Sequence, residues 1–400
     1  MNKYVEIFGG REWIISFLIL AVVLLLALPI FLGEFHLNLA GRFLSFAFVA
    51  IGLVLCWGHG GILSLGQGLF WGLGGYCMAA FLKLEAAANI AKEEGSDQVR
   101  ALTTVGIPDF MDWNQITSLP WFWYPFKSFP VTVLLIFLLP TLLAFIIGWV
   151  MFKRRVVGVY FAIITQATIL FVTSQGYTGG INGITDLRTL LGWDIRDPSA
   201  QNIIYFMTAV SVLACVLVGR LITGSKLGRL LVAVRDSEDR VRFSGYDVAN
   251  LKAFVFCVAA AMCGLGGALF VMNVGFISPT TMGIEPSILM VIYCAVGGRM
   301  SLIGAVYGTL LVLFGRMIFA EQFPTIWLFF MGSLFILVTL VFPEGLAGIW
   351  QRQVKPVFAK LTSRLRSPPP APPTGGAEVV VEASSAEPVT ANDTAKEGQP

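Results

Sequence analysis

Long apolar runs recur along the chain, separated by short polar connections. A helix satisfies its own backbone groups in lipid, and about 20 apolar residues are needed to cross the hydrocarbon. Ten stretches meet or approach this length: roughly 13–32, 37–56, 63–83, 130–152, 156–175, 202–222, 253–274, 285–298, 302–320 and 325–343. Trp57-Gly58-His59-Gly60-Gly61 is a predicted break between the second and third. The eighth is short, ends in Gly297-Gly298-Arg299, and is expected to cross only in part. The pattern predicts an all-α polytopic membrane bundle of about ten transmembrane helices. The first stretch is too long for a typical signal-peptide core and no small-residue cleavage site follows, so it is expected to remain as a first transmembrane helix.

Charge orients the bundle, because cytoplasmic loops carry an excess of Lys and Arg. Basic residues follow span four (Lys153, Arg154, Arg155), span six (Lys226, Arg229, Arg235, Arg240, Arg242), span eight (Arg299) and span ten (Arg352, Lys355, Lys360, Arg364, Arg366). The loops on the other side are leaner in basic residues, and 84–129 is rich in acids. Both termini are therefore expected in the cytoplasm. Residues 1–350 form the membrane domain, with 84–129 as a periplasmic insert and 223–250 as a cytoplasmic loop. Within the insert, Leu84–Val99 reads as an exposed amphipathic helix. Trp113, Trp121, Trp123 and Tyr124 read as an interfacial belt or as a docking surface for an external partner. Residues 351–400 form a cytoplasmic tail. From about 367 it contains no Leu, Ile, Phe, Tyr or Trp and is expected to be disordered.

Composition narrows the function. The chain is 56% hydrophobic and only 13% charged, with mean hydropathy +0.78. A soluble enzyme could not bury that surface in one core. A net charge of +3 over 400 residues makes no field for nucleic acid. The six cysteines lie in apolar runs and His36 and His59 are the only histidines, so no metal site and no cofactor are expected. Gly219 to Lys226 approaches a phosphate-binding loop, but Ser225 and Lys226 stand in the wrong order. Ionisable groups within the spans are few: Arg42 and Arg316 near span ends, and Glu285 at the start of the eighth.

The spans offer small and neutral residues instead. Glycines crowd 58–75, 264–267 and 297–308, through close helix packing or through broken helix along a pathway. Gln67 in span three, with Thr165 and Gln166 in span five, either bond to neighbouring helices or line a polar route. Asn182 and Asp186 follow on the outside, as turn formers or as the mouth of that route. Such a lining suits a neutral hydrogen-bonding solute. In 223–250, Leu227, Leu230, Leu231 and Val234 recur at helical spacing, followed by Arg235, Asp236, Glu238, Asp239, Arg240 and the stop Gly245. This is either a solvated loop or a helix that receives force from a separate motor.

The stretches LGRLLVAVRDSEDRVRFSGYDVANLKAFVF, CGLGGALF, FISP and AVGGRMSLIGAVYG resemble the permeases of branched-chain amino-acid-type ABC importers. So do GGILSLGQGLFWGLGGYCMAAF and YFAIITQATILFVTSQGYTGGINGITD further upstream, and the likeness runs in order over about 55–350. Within that family, RVRFSGYD, ITQA, QGYTGGINGITD and AVGGRMSLIG are similar to urea-importer permeases. The resemblance implies a bacterial inner-membrane subunit without enzymatic activity of its own. It would pair with a second homologous permease, two cytoplasmic ATPase subunits and a periplasmic substrate-binding protein. It implies urea as the substrate, with a branched-chain or other amino acid as the alternative. A passive urea or amide channel is the third reading. It also implies that 228–245 is the coupling helix, with Glu238 or Asp239 as its acid, in a bundle of two inverted halves.

Overall fold

A computed structural model describes residues 11–93, 119–156, 159–173 and 189–323 as continuous stretches, with short pieces at 108, 111, 183–185, 187, 326, 329–330, 332–333, 336 and 345–349. The tail 351–400 lies outside the described residues, as does most of the tenth predicted span. The helices are α1 Glu12–Phe31, α2 Glu34–His59, α3 Gln67–Glu93, α4 Phe129–Lys153, α5 Val159–Thr173, α6 Pro198–Gly224, α7 Lys226–Asp236, α8 Glu238–Phe243, α9 Val248–Val274, α10 Ile284–Gly297, α11 Leu302–Gln322 and α12 Gly345–Ile349. A small hairpin pairs β1 Thr189–Leu190 with β2 Trp193–Asp194.

Each of the first nine predicted spans carries a helix. Not all of them cross fully. Among the described residues six helices are long and apolar enough to span a membrane: α1, α2, α4, α6, α9 and α11. The other three are interrupted, short or displaced. α5 has 15 residues and α10 has 14. α3 starts late and continues past its apolar part to Glu93, so the described part of the predicted separate helix, 84–93, is the outer end of α3. There the Glu85 carboxylate accepts the backbone N–H groups of Leu191 and Gly192, at 3.0 and 2.8 Å, and holds the hairpin turn.

α9 is the centre of the bundle and packs on α2, α3 and α4. Three of its glycines make this possible. Gly264 meets the Ile136 carbonyl and Pro140 of α4, Gly266 meets Ser45 and Phe48 of α2, and Gly267 meets the Trp71 carbonyl of α3. A Cβ on Gly267 would lie 1.7 Å from that oxygen. In the same way Gly297 of α10 abuts Gly304 and Gly308 of α11. Small residues therefore set the helix spacing here, as expected where lipid provides no hydrophobic drive.

α1 contains a π-helical turn, Val23–Ala27, in which the Leu28 N–H reaches back to the Val23 carbonyl. The next residue, Pro29, has no N–H, which leaves the Leu24 carbonyl without a partner in its own helix. The Tyr205 hydroxyl of α6 supplies one at 2.7 Å. A buried polar cluster joins α2, α6 and α9 near the opposite end from α7. Asn273 donates to Thr208 at 3.2 Å, and Asn38 donates to the Asn273 carbonyl at 3.4 Å.

Candidate functional site

Two breaks in the chain shape the interior. After α2 the chain runs without helix through Gly60–Gly66, and Gly61 turns it at φ +68°. α3 then begins at Gln67, whose Oε1 accepts from the Cys263 thiol at 3.2 Å. Cys263 stands near the middle of α9, so α3 starts halfway along the bundle. The second break follows α9. Residues 275–283 turn back along α3, where Ile277 meets Gly75 and Met282 meets Gly72. α10 then begins beside Gly68, which Ser287 abuts. Thus α3 rises from mid-height in one direction and α10 descends from mid-height in the other. Their N-terminal ends meet, with opposite sense, as in an inverted repeat. The 58–75 glycine region thus stands against the break before α10, and the glycines of 297–308 serve the α10–α11 packing.

The expected pathway residues divide at this point. Gly66 packs against Thr165, which brings the start of α3 beside α5. Gln67 is 1% exposed, and its Nε2 has no hydrogen-bond partner. Neither amide atom of Gln166 has one, nor does the Trp71 indole nitrogen. Thr165 is buried, its hydroxyl turned to its own Ala162 carbonyl at 2.9 Å. Buried amides without partners are rare because each carries a desolvation cost of about 1–3 kcal/mol. Asn182 and Asp186 lie outside the described residues. Beside them, Ile184 exchanges both backbone hydrogen bonds with Ile277, and Lys83 donates to the Thr185 carbonyl at 3.1 Å.

Charge at mid-height comes from two residues expected near span ends. α10 and α11 cross where Gly308 meets the Tyr293 carbonyl. From that crossing Glu285 is eight residues along α10 and Arg316 eight along α11, both away from the α7 end. Each therefore stands about 12 Å above the crossing, at 1.5 Å per residue. Both side chains are exposed on the bundle. Hydropathy alone had hidden this, because a half-length α10 places its first turn in the middle of the bundle.

The predicted coupling segment forms two helices, α7 and α8, broken at Ser237. Ser225 caps α7, its hydroxyl accepting the Gly228 N–H. Leu231 and Val234 form its buried face. Gly245 stops α8 at φ +87°, with nothing within 4 Å of a Cβ position, so the backbone angle is what calls for glycine. Arg235 points inward. Its Nη1 donates to the Gly58 carbonyl at 2.8 Å and reaches the Met300 sulfur at 3.1 Å, while its Nε donates to Asp236 at 2.9 Å. Glu238 also serves the interior, holding Arg242 at 2.7 Å and Lys252 at 2.6 Å. Asp239 is 84% exposed and Arg240 is also exposed. Phe243, at the tip, is 92% exposed. Sequence reading passed over Phe243, although a lone aromatic in the polar run Arg240-Val-Arg-Phe-Ser-Gly245 was its signal.

Comparison with known proteins follows the same outline. Residues 35–339 match the family described as branched-chain amino acid transport system / permease component. The chain is 24% identical over 367 residues to the high-affinity branched-chain amino acid transport system permease protein LivM of Escherichia coli (strain K12), covering 85% of this chain and 76% of the relative. The LivM of Salmonella typhimurium is equally similar, at 24% over 367 residues. The corresponding permease protein BraD of Pseudomonas aeruginosa is 30% identical over 131 residues, 32% of this chain and 41% of the relative. No solved structure matches the chain. With its apolar helices, the chain is a multi-pass protein of the bacterial inner membrane. It belongs to the permease-component family of branched-chain amino acid transport systems.

Proposed function

We propose that this chain is the membrane-spanning permease subunit of an ATP-driven importer for a branched-chain or other aliphatic amino acid. ATP is hydrolysed on two cytoplasmic partner subunits. A second permease completes the pathway, and a periplasmic binding protein delivers the solute. Two discontinuous helices meeting at mid-height give a bundle that can open to either side by rocking about a fixed site. Phe243 and Asp239, exposed on the compact α7–α8 unit, are the contact with the ATPase. Arg235 carries that movement to the break after α2.

The observation that carries the substrate class is the pair Glu285 and Arg316. A zwitterion needs compensating charge along its route, and these groups offer both signs at one height. The named relatives, all branched-chain amino acid permeases, favour the same reading over urea. Gln67, Thr165 and Gln166 line the route as neutral hydrogen-bonding groups. Asn182 and Asp186 form its outer mouth. The test is uptake of L-leucine by the assembled importer carrying Glu285→Gln or Arg316→Gln. Each variant is expected to slow uptake while the subunits still copurify. Unchanged uptake in both would remove the charge argument for an amino acid.

A further inference from the structure

A cavity of about 160 Å³ lies where α7 and α8 meet the break after α2 and the adjoining ends of α4, α5 and α9. Its lining includes the apolar side chains Ile62, Phe161 and Val234 and the charged side chains Arg235, Glu238 and Lys252. Arg235 spends its Nε on Asp236 and its Nη1 on Gly58 and Met300, while its Nη2 makes no hydrogen bond among the described residues. Glu238 is an anion flanked by Lys252 and Arg242. Phe161 is one helical turn from Thr165, and Ile62 lies four residues before Gly66, so the cavity sits at the inner end of the route through Gln67 and Thr165.

The lining has the chemistry of an aliphatic α-amino acid. A carboxylate fits the free Nη2 of Arg235 and the Lys252 ammonium. An ammonium fits the Glu238 carboxylate. A branched side chain fits Ile62, Phe161 and Val234. Glu238 is paired with Lys252 and Arg242, and Arg235 with Asp236, so a zwitterion binds here by exchanging partners within these pairs, which a neutral diamide has no charge to do. We propose that this cavity is a cytoplasmic binding site for an aliphatic amino acid. Solute arriving from the cell interior occupies it, bridges α7 to the break after α2, and slows the next transport cycle. The inference rests on the amino-acid reading above and adds product feedback to it.

The physical basis is linkage. A ligand that contacts α7 and residues 60–62 together favours the arrangement in which Arg235 holds Gly58, and so opposes the movement that transport requires.

The complete importer in proteoliposomes, with its binding protein and L-leucine outside, is the test. Vesicles are preloaded with ATP and with L-leucine, isopentylamine, 4-methylpentanoate or urea. Internal leucine should lower the initial rate of labelled leucine uptake about fivefold or more, the lower end of ordinary allosteric coupling. The amine, the acid and urea should not. Val234→Phe, which fills the cavity, should reduce the ratio between empty and leucine-loaded vesicles, a readout in which its own uptake rate cancels. If that variant does not assemble, the four wild-type arms decide alone. Leucine uptake unaffected by internal leucine, or equal inhibition by the amine or acid, overturns the feedback site and leaves the amino-acid reading standing. No leucine uptake by the wild type in empty vesicles overturns both.

Discussion

The Arg235 guanidinium donates to the Gly58 carbonyl at 2.8 Å, across 177 residues of sequence. This bond ties the first cytoplasmic helix to the last turn of α2, and a Cβ on neighbouring Gly61 would meet the same arginine side chain. Gly58 itself lies against the Arg299 carbonyl, which leads from α10 into α11. One side chain thus touches the entry to α3 and lies beside the exit from α10, the two helices that begin at mid-height in the bundle.

Arg235→Ala should therefore uncouple the importer. The expected result is leucine uptake reduced about tenfold or more, with ATP hydrolysis by the assembled complex retained, as for a residue that transmits movement and takes no part in the chemistry. Parallel measurement of uptake and ATPase rate checks it. Equal loss of both would make Arg235 an assembly residue.

Gln67→Leu separates stability from transport. The amide is buried with its Nε2 unpartnered and one weak thiol bond at its oxygen. Replacing it with an apolar side chain of similar size removes a desolvation cost of about 1–3 kcal/mol. The variant should unfold at the same or a higher temperature in detergent and should transport more slowly. Lower stability with normal uptake would assign Gln67 to packing alone.

Gly267→Ala places a Cβ 1.7 Å from the Trp71 carbonyl at the crossing of α3 and α9. Backbone must move there, at a cost at or above the roughly 1–3 kcal/mol of ordinary overpacking. Gly33→Ala is the control, since nothing lies within 4 Å of its Cβ position. Yield of monodisperse protein on size exclusion should fall for the first and hold for the second.

Tyr205→Phe leaves the buried Leu24 carbonyl without its donor at the π-helical turn. The loss should be about 1–3 kcal/mol. Thermal unfolding followed by tryptophan fluorescence measures it. Pro29→Ala in the same background should recover part of the loss, because alanine restores the backbone N–H that proline lacks and can donate it within the helix.

Much of this was legible in the chain because lipid imposes simple rules. Uninterrupted apolar runs marked the helices, and Leu227, Leu230, Leu231 and Val234 marked α7 by their spacing. Hydropathy could not see where a helix begins in height. Span 63–83 reads as one apolar run, yet 60–66 is not helical and α3 starts at Gln67. Glu285 and Arg316 read as residues near span ends for the same reason, and only the α10–α11 crossing brings them level. The Arg235–Gly58 bond joins segments whose proximity no local pattern encodes. The interior amides Gln67 and Gln166 were visible as polar residues in apolar runs, but their lack of partners is a property of packing.

The most direct measurement is solute accumulation by the importer, purified with its companion subunits and reconstituted into proteoliposomes containing ATP. The account predicts that labelled L-leucine accumulates above its outside concentration, only with ATP inside and binding protein outside, and that excess urea does not compete. Urea accumulation without leucine uptake, or solute flux that ignores ATP, would contradict it.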